Sequence, residues 1–98
     1  MDFEWDEQKN IQNKRKHHLG FEDALYVFSD PFAVVRNDTY DLEERYQVLG
    51  SIQGIVMVLV VFAFRENPDT EVIRIISARK ATQAERRQYE KGTWNQGS

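Results

Sequence analysis

Ten consecutive apolar residues at 55–64, I-V-M-V-L-V-V-F-A-F, occupy the middle of the chain and leave few ways for it to fold. A helix that crosses a bilayer needs about twenty such residues. The four valines favour extended backbone, and a strand that is apolar on both faces must have neighbours on both. Residues 55–65 are therefore read as a central strand, and the rest of the chain has to cover it.

Residues 45–52 alternate, with Arg45, Gln47 and Ser51 pointing one way and Tyr46, Val48 and Ile52 the other, as in a strand with one wet face. Gln53 and Gly54 form a tight link into the apolar run. Asn67, Pro68 and Asp69 mark a hairpin turn at 66–70. Beyond it 72–78 reads as a third long strand, with Ile73 and Ile75 on one face and Val72, Arg74 and Ile76 on the other. Residues 32–36 form a short candidate strand, followed by a polar, acidic connection at 37–44.

Helical patterns flank the strands. Asp6 is placed to cap a helix over 7–18, on which Lys9, Asn13, Lys16 and His17 fall within about 100° of one another, with Ile11 on the far side. His18, Leu19 and Gly20 break it. Phe21, Ala24, Leu25 and Phe28 then share a face at helical spacing until Ser29, Asp30 and Pro31 intervene. Thr82 with Glu85 forms a capping box opening a last helix over 83–91, and 92–98 reads as a frayed tail containing Trp94. Trp5, Tyr26, Phe28 and Phe32 are assigned to the core. The order predicts an α+β fold: two N-terminal helices, an antiparallel sheet of three to four strands with helices on one side, and a C-terminal helix.

The 98 residues suffice for one domain, 1–98, which can bury about 65% of its extended surface without staples. The absence of cysteine excludes a disulfide framework, thiol catalysis and sulfur-ligated zinc, and suits a reducing cytoplasm. The start, 1–6, carries three acids where a signal peptide has a basic segment, which argues against secretion. No membrane partner is expected.

The formal net charge of −3 hides a segregation. Residues 1–8 carry −4 and 19–71 carry −7, whereas 9–18 and 72–91 carry +4 each. Two basic blocks on an acidic chain suit either a polyanion site or two separately solvated surfaces. The adjacent His17 and His18 cannot face one metal from a helix. No glycine-rich phosphate loop is present, and no serine is singled out as a nucleophile.

Arg74 interrupts V-I-R-I-I in a strand expected to be buried, and a guanidinium there needs a carboxylate, a phosphate or water. An ion pair with Glu43 or Glu44 would satisfy it. Arg45 and Arg79 stand at strand ends in the same way. Three arginines on or beside one sheet, with Lys16 and His17, would equally suit a phosphodiester in its transition state.

Four stretches extend this reading: N-K-R-K-H at 13–17, F-E-D-A-L-Y-V-F-S-D-P at 21–31, E-R-Y-Q-V-L-G at 44–50 and I-R-I-I-S-A-R-K-A-T-Q-A-E-R-R-Q-Y-E at 73–90. Together they resemble the BrnT family of ribonuclease toxins from bacterial type II toxin–antitoxin systems, over nearly the whole chain. The resemblance implies a RelE-like fold, RNA cleavage that halts translation, and neutralisation by a BrnA-type antitoxin that also binds operator DNA. No cofactor is implied. It further implies metal-free cleavage, with Arg45, Arg74 and Arg79 at the phosphate and His17 or Glu44 in proton transfer. Lys9, Lys14, Lys16 and Lys80 would then hold RNA, and Arg86 and Arg87 would face solvent or the antitoxin. Family members often carry Gly where this chain has His18, a position where a left-handed residue ends a helix. Two rival readings remain at this point: a non-catalytic binding module acting with a DNA-binding partner, and a purely structural domain.

Overall fold

The computed structural model describes residues 2–65 and 71–94. The apolar run lies at the centre of a five-stranded sheet. Strand β1 is Asp2–Glu4, β2 is Val34–Asn37, β3 is Tyr46–Ile52, β4 is Val56–Arg65 and β5 is Val72–Lys80. Their spatial order is β1-β5-β4-β3-β2, with β1 parallel to β5 and every other pair antiparallel. The sheet is thus mixed and has one strand more than the three to four expected. The addition, β1, is three residues long with two acids, too short and polar to register as a strand pattern. The expected turn at 66–70 lies outside the described residues.

Helix α1 spans Glu7–His17, and Asp6 caps it by accepting hydrogen bonds from the backbone N–H groups of Gln8 and Lys9. Helix α2, Phe21–Ala24, runs directly into a 3₁₀ turn at Leu25–Ser29. Helix α3, Gln83–Lys91, opens with the expected capping box between Thr82 and Glu85.

Phe21, Ala24 and Val27 pack onto Val48, Val58, Val60, Phe62, Ile73, Ile75 and Ala78, so α2 and the 3₁₀ turn cover one face of the sheet. Burial of each large side chain here stabilises the fold by about 1.5–3 kcal/mol. Gly50 permits the close approach: a Cβ there would stand 2.9 Å from Val27 Cγ2 and 3.1 Å from Ala33 Cβ. The opposite face carries a smaller cluster of Leu49, Leu59 and Trp94, with Val34, Met57, Ala81 and Tyr89 against it. The chain from α3 to Trp94 therefore covers one end of that second face, and the helices are not confined to one side. Trp94 is buried with the Arg36 guanidinium 4.2 Å over its ring, so this tail residue is anchored rather than frayed. Residues 95–98 lie outside the described residues. Phe28 and Trp5 do pack against the core, but Tyr26 and Phe32, also assigned to it, are exposed: Tyr26 lies off the face that Phe21, Ala24 and Phe28 turn to the sheet, and Phe32 follows the turn at Asp30.

Helix α1 departs most from its expected orientation. Asn10 and Asn13 are its buried residues and Ile11 points outward. Among the described residues no strand lies beside the edge of β5 beyond Arg74, and the Asn13 side chain takes that place. It donates to the Ala78 carbonyl at 2.7 Å and accepts from the Ala78 N–H at 3.2 Å. Asn10 accepts from the Phe21 N–H at 2.9 Å and so joins α1 to α2. Buried polar groups cost free energy unless bonded. These asparagines are bonded, and they dock a helix that has little apolar surface to bury.

Candidate functional site: an arginine face

Arg74 and Arg79 are five residues apart, so a regular strand would send them to opposite faces. A β-bulge changes that. Val61 pairs with Ser77 and Phe62 with Ile75, leaving Ile76 as the extra residue and reversing the alternation of β5. Arg74 then stands opposite Ala63 and Arg79 opposite Leu59, both on the second face. Arg65 on β4 and Arg36 on β2 share it by alternation.

The connection at 37–44 extends this face. The polar, acidic connection is a continuing β-hairpin: Asp38 N–H donates to the Arg45 carbonyl at 2.7 Å, and Tyr40 and Glu43 exchange backbone bonds of 3.1 and 2.9 Å. The turn residues Asp41 and Leu42 both have positive φ, 50° and 67°, as a two-residue hairpin of matching twist requires. Asp38, Tyr40, Glu43 and Arg45 thus continue the alternation that begins at Arg36 and Gln47.

Most of these arginines meet a carboxylate. Arg74 pairs with Glu43, which settles its partner between the two adjacent acids, and both side chains are about half exposed. Arg74 is therefore not in a buried strand segment, because the helices leave this part of the second face open. Arg65 pairs with Glu4 at 2.9 Å and Arg45 stands 3.8 Å from Asp38. Arg79 makes two bonds to Glu85, of 2.8 and 3.0 Å. The guanidinium holds the Glu85 carboxyl below the usual carboxylate range and burial opposes it, while the same hydrogen bond raises Arg79. Arg36 donates to Gln47 at 2.8 Å.

A half-open cleft of about 740 Å³ occupies the end of this face, lined by Glu4, Leu42, Glu43, Glu44, Ala63, Phe64, Arg65 and Arg74. Lys9 reaches a smaller hollow beside it, which it shares with Asp6, Glu43, Arg74 and Ile76. Glu44, Arg74 and Lys9 are therefore brought together. Arg45 stands in the adjoining hairpin. His17 is not with them: it ends α1 eight residues after Lys9, about 12 Å along the axis. Arg79 lies about 16 Å along β5 from Arg74, bound to α3. Lys80 lines a separate hollow with Arg86 and Tyr89. Lys14 is tied to Glu22 at 2.6 Å, and Lys16, Arg86 and Arg87 are exposed. Glu4, Arg36, Glu43's place in the cleft and Arg65 were not anticipated as site features. The alternation through Arg45 and Gln47 carried back across the hairpin is the signal that would have found Arg36.

Among the described residues no group of three or more His, Cys, Asp or Glu side chains is placed to hold a metal ion. None of their helices is long and apolar enough to cross a membrane.

No curated protein sequence matches the chain significantly. The crystal structure of the ribonuclease toxin BrnT from Brucella abortus matches it with a TM-score of 0.64 and 30% identity, over 85% of this chain and 99% of that one. The family model described as "Ribonuclease toxin, BrnT, of type II toxin-antitoxin system" matches residues 5–85. That match spans both α1 and the whole arginine face, and the chain accordingly belongs to the BrnT family of ribonuclease toxins, whose substrate is RNA and whose partner is an antitoxin.

Proposed function

We propose that this chain cleaves RNA on its arginine face without a metal, by attack of a ribose 2′-oxygen on the adjacent phosphorus. The O2′–P bond forms as the P–O5′ bond breaks, leaving a 2′,3′-cyclic phosphate and a free 5′-hydroxyl. A base takes the 2′ proton and an acid returns one to O5′. Arg74 and Arg45 stabilise the charge that develops on the phosphoryl oxygens. Glu44 takes the 2′ proton: it is exposed, lines the cleft beside Arg74, and has no side-chain partner among the described residues. Arg79, at the other end of the face, holds a further stretch of the same strand, with Lys9, Lys16, Lys80 and His17 steering the backbone along the edge of β5. Lys14 contributes charge from its pair with Glu22. The observation that carries this reading is the bulge at Ile76, which gathers arginines from β5 onto the open face.

Loss of RNA halts translation in the cytoplasm of the cell that makes the toxin. A BrnA-type antitoxin neutralises it and carries the complex to operator DNA, with Arg86 and Arg87 of α3 facing that partner.

Incubating the protein with RNA in excess EDTA tests the reaction. Fragments with 2′,3′-cyclic phosphate ends are expected, and Arg74→Ala should lower cleavage by about 10²-fold or more. The fold should persist, since a half-exposed pair contributes only about 0–1 kcal/mol. Loss of cleavage on chelation, restored by a divalent ion, would overturn the metal-free mechanism.

A further inference from the structure

Tyr40 is 67% exposed at the end of the hairpin, an unusual position for an aromatic ring beside a charged cleft. Its backbone is fixed by the reciprocal bonds to Glu43, and Glu43 is itself held by Arg74. The ring therefore has a defined place relative to the arginine face. Behind it stands Arg45, with its guanidinium carbon 5.2 Å from the ring centroid. That guanidinium is weakly held: its carboxylate partner is 3.8 Å away, and its buried Nε–H has no acceptor among the described residues. Leu42, fully exposed, and Phe64, half exposed, continue the apolar rim around the cleft.

From these observations we infer that Tyr40, backed by Arg45, is a stacking platform for one unpaired nucleobase of the RNA substrate. The inference rests on the ribonuclease reading and adds how the substrate is selected. A base in a duplex is stacked on its neighbours and cannot lie on Tyr40, so the platform selects single-stranded RNA. Stacking uses the π-face that every base has, so it positions the strand without choosing its sequence. Arg45 supports the ring from one side, and a base covers the other. The terminal N–H groups of the same guanidinium, loosely placed 3.8 Å from Asp38, can turn to a neighbouring phosphate. Tyr40 is thus a positioning residue that sets where the phosphodiester lies against Arg74.

A single-stranded oligoribonucleotide carrying 2-aminopurine and 2′-O-methyl groups throughout cannot be cleaved and reports stacking by fluorescence quenching. The parent protein should quench it. Tyr40→Ala should lose the quenching and bind about 5- to 100-fold more weakly, while Tyr40→Phe and Tyr40→Trp retain both. On cleavable RNA, Tyr40→Ala should raise KM more than it lowers kcat, with an unchanged melting temperature. Should Tyr40→Ala fold poorly, Tyr40→Leu keeps the apolar bulk and makes the same test. A Tyr40→Ala protein that binds and quenches like the parent overturns the platform and leaves the ribonuclease reading intact. A parent that quenches the probe but cleaves no RNA overturns that reading and leaves the platform standing. If Tyr40→Ala weakens antitoxin binding and spares RNA binding, the ring belongs to the protein interface and the inference fails.

Discussion

Glu85 serves two structures at once. It accepts the Thr82 N–H that completes the α3 capping box and both bonds from Arg79. Arg79→Ala removes the bidentate pair and leaves the cap. Cleavage should fall by about 10²-fold or more, while the melting temperature drops by about 4–8 °C, the equivalent of about 1 kcal/mol in a domain of this size. A far larger drop would make Arg79 a structural residue. The pair also contributes to stability against acid, beside Glu22 and Asp30, whose carboxyls are likewise held below their ordinary values. Hydrogen bonding to Arg79 holds Glu85 below its ordinary value, so its contribution is complete above the usual carboxylate range and is lost as pH falls through the lowered pKa. Glu85→Gln should flatten the fall in unfolding free energy below about pH 4.5, measured by urea titration at several pH values. Tyr89 acts at the alkaline limit: burial, then the 2.7 Å bond to Asp30, pushes it up to about 12. Its contribution is complete below about pH 10 and is lost as pH rises towards 12, and Tyr89→Phe should remove that loss. Among the site residues, Arg74 was legible because a charge inside V-I-R-I-I demands a partner. Arg65 was not, since an arginine closing an apolar run reads as a strand end.

Four residues with a side chain have positive φ, Asp41 in the hairpin turn among them, and show where local backbone strain is stored. Leu42 in the hairpin turn has φ 67°, and its side chain is fully exposed and compensates with no packing. A left-handed conformation costs a residue with a Cβ about 1–2 kcal/mol, and glycine escapes most of that. His18 has φ 56° at the end of α1, where its N–H donates to the Lys14 carbonyl at 2.9 Å. The left-handed turn expected there is present despite the histidine. Leu42→Gly and His18→Gly should each stabilise the protein by up to about 1 kcal/mol, read as a rise in the denaturant midpoint. Gln53, φ 53°, sits in the β3–β4 turn, whose tightness was apparent from the glycine beside it. Elements with dense local signals were legible: the apolar run of β4, the alternation of β3 and the capping box of α3. Those specified by pairing alone were not. β1 exists only because β5 offers it an edge, and the hairpin at 37–44 is built from polar residues whose backbone bonds leave no mark in hydropathy. The bulge at Ile76 was invisible for a related reason. I-I within a strand reads as a lapse in alternation, and only the register against β4 reveals that the phase has changed.

The two basic blocks separated in sequence are joined through β5. Asn13 docks α1 along its open edge, and α3 follows its last residue, so Lys9, Lys14 and Lys16 lie on one side of the strand and Arg86 and Arg87 beyond its end. Glu4, Glu43 and Glu85 each pair closely with an arginine of the open face and hold it in place, whereas Asp38 stands 3.8 Å from Arg45 and holds it weakly. RNA phosphates would have to displace these carboxylates, a cost that the arginines, already turned towards the face, offset in part. An antitoxin that inhibits by occupying the same ground must likewise offer negative charge. We expect an acidic segment of the antitoxin to pair with Lys9, Lys14, Lys16, Arg86 and Arg87 around the arginine face and to associate quickly at low salt. Association should slow steeply between 0.1 M and 1 M salt, as the Debye length contracts from about 10 Å to about 3 Å. The competition is measured by titrating purified antitoxin into the toxin with and without the non-cleavable 2′-O-methyl RNA. Saturating RNA should weaken antitoxin binding in proportion to its own occupancy, and antitoxin should release bound RNA. A ternary complex of undiminished affinity would place the two ligands on separate surfaces, and inhibition would then require a change in the toxin itself, for which the hairpin closed by Arg74 and Glu43 is the element to watch.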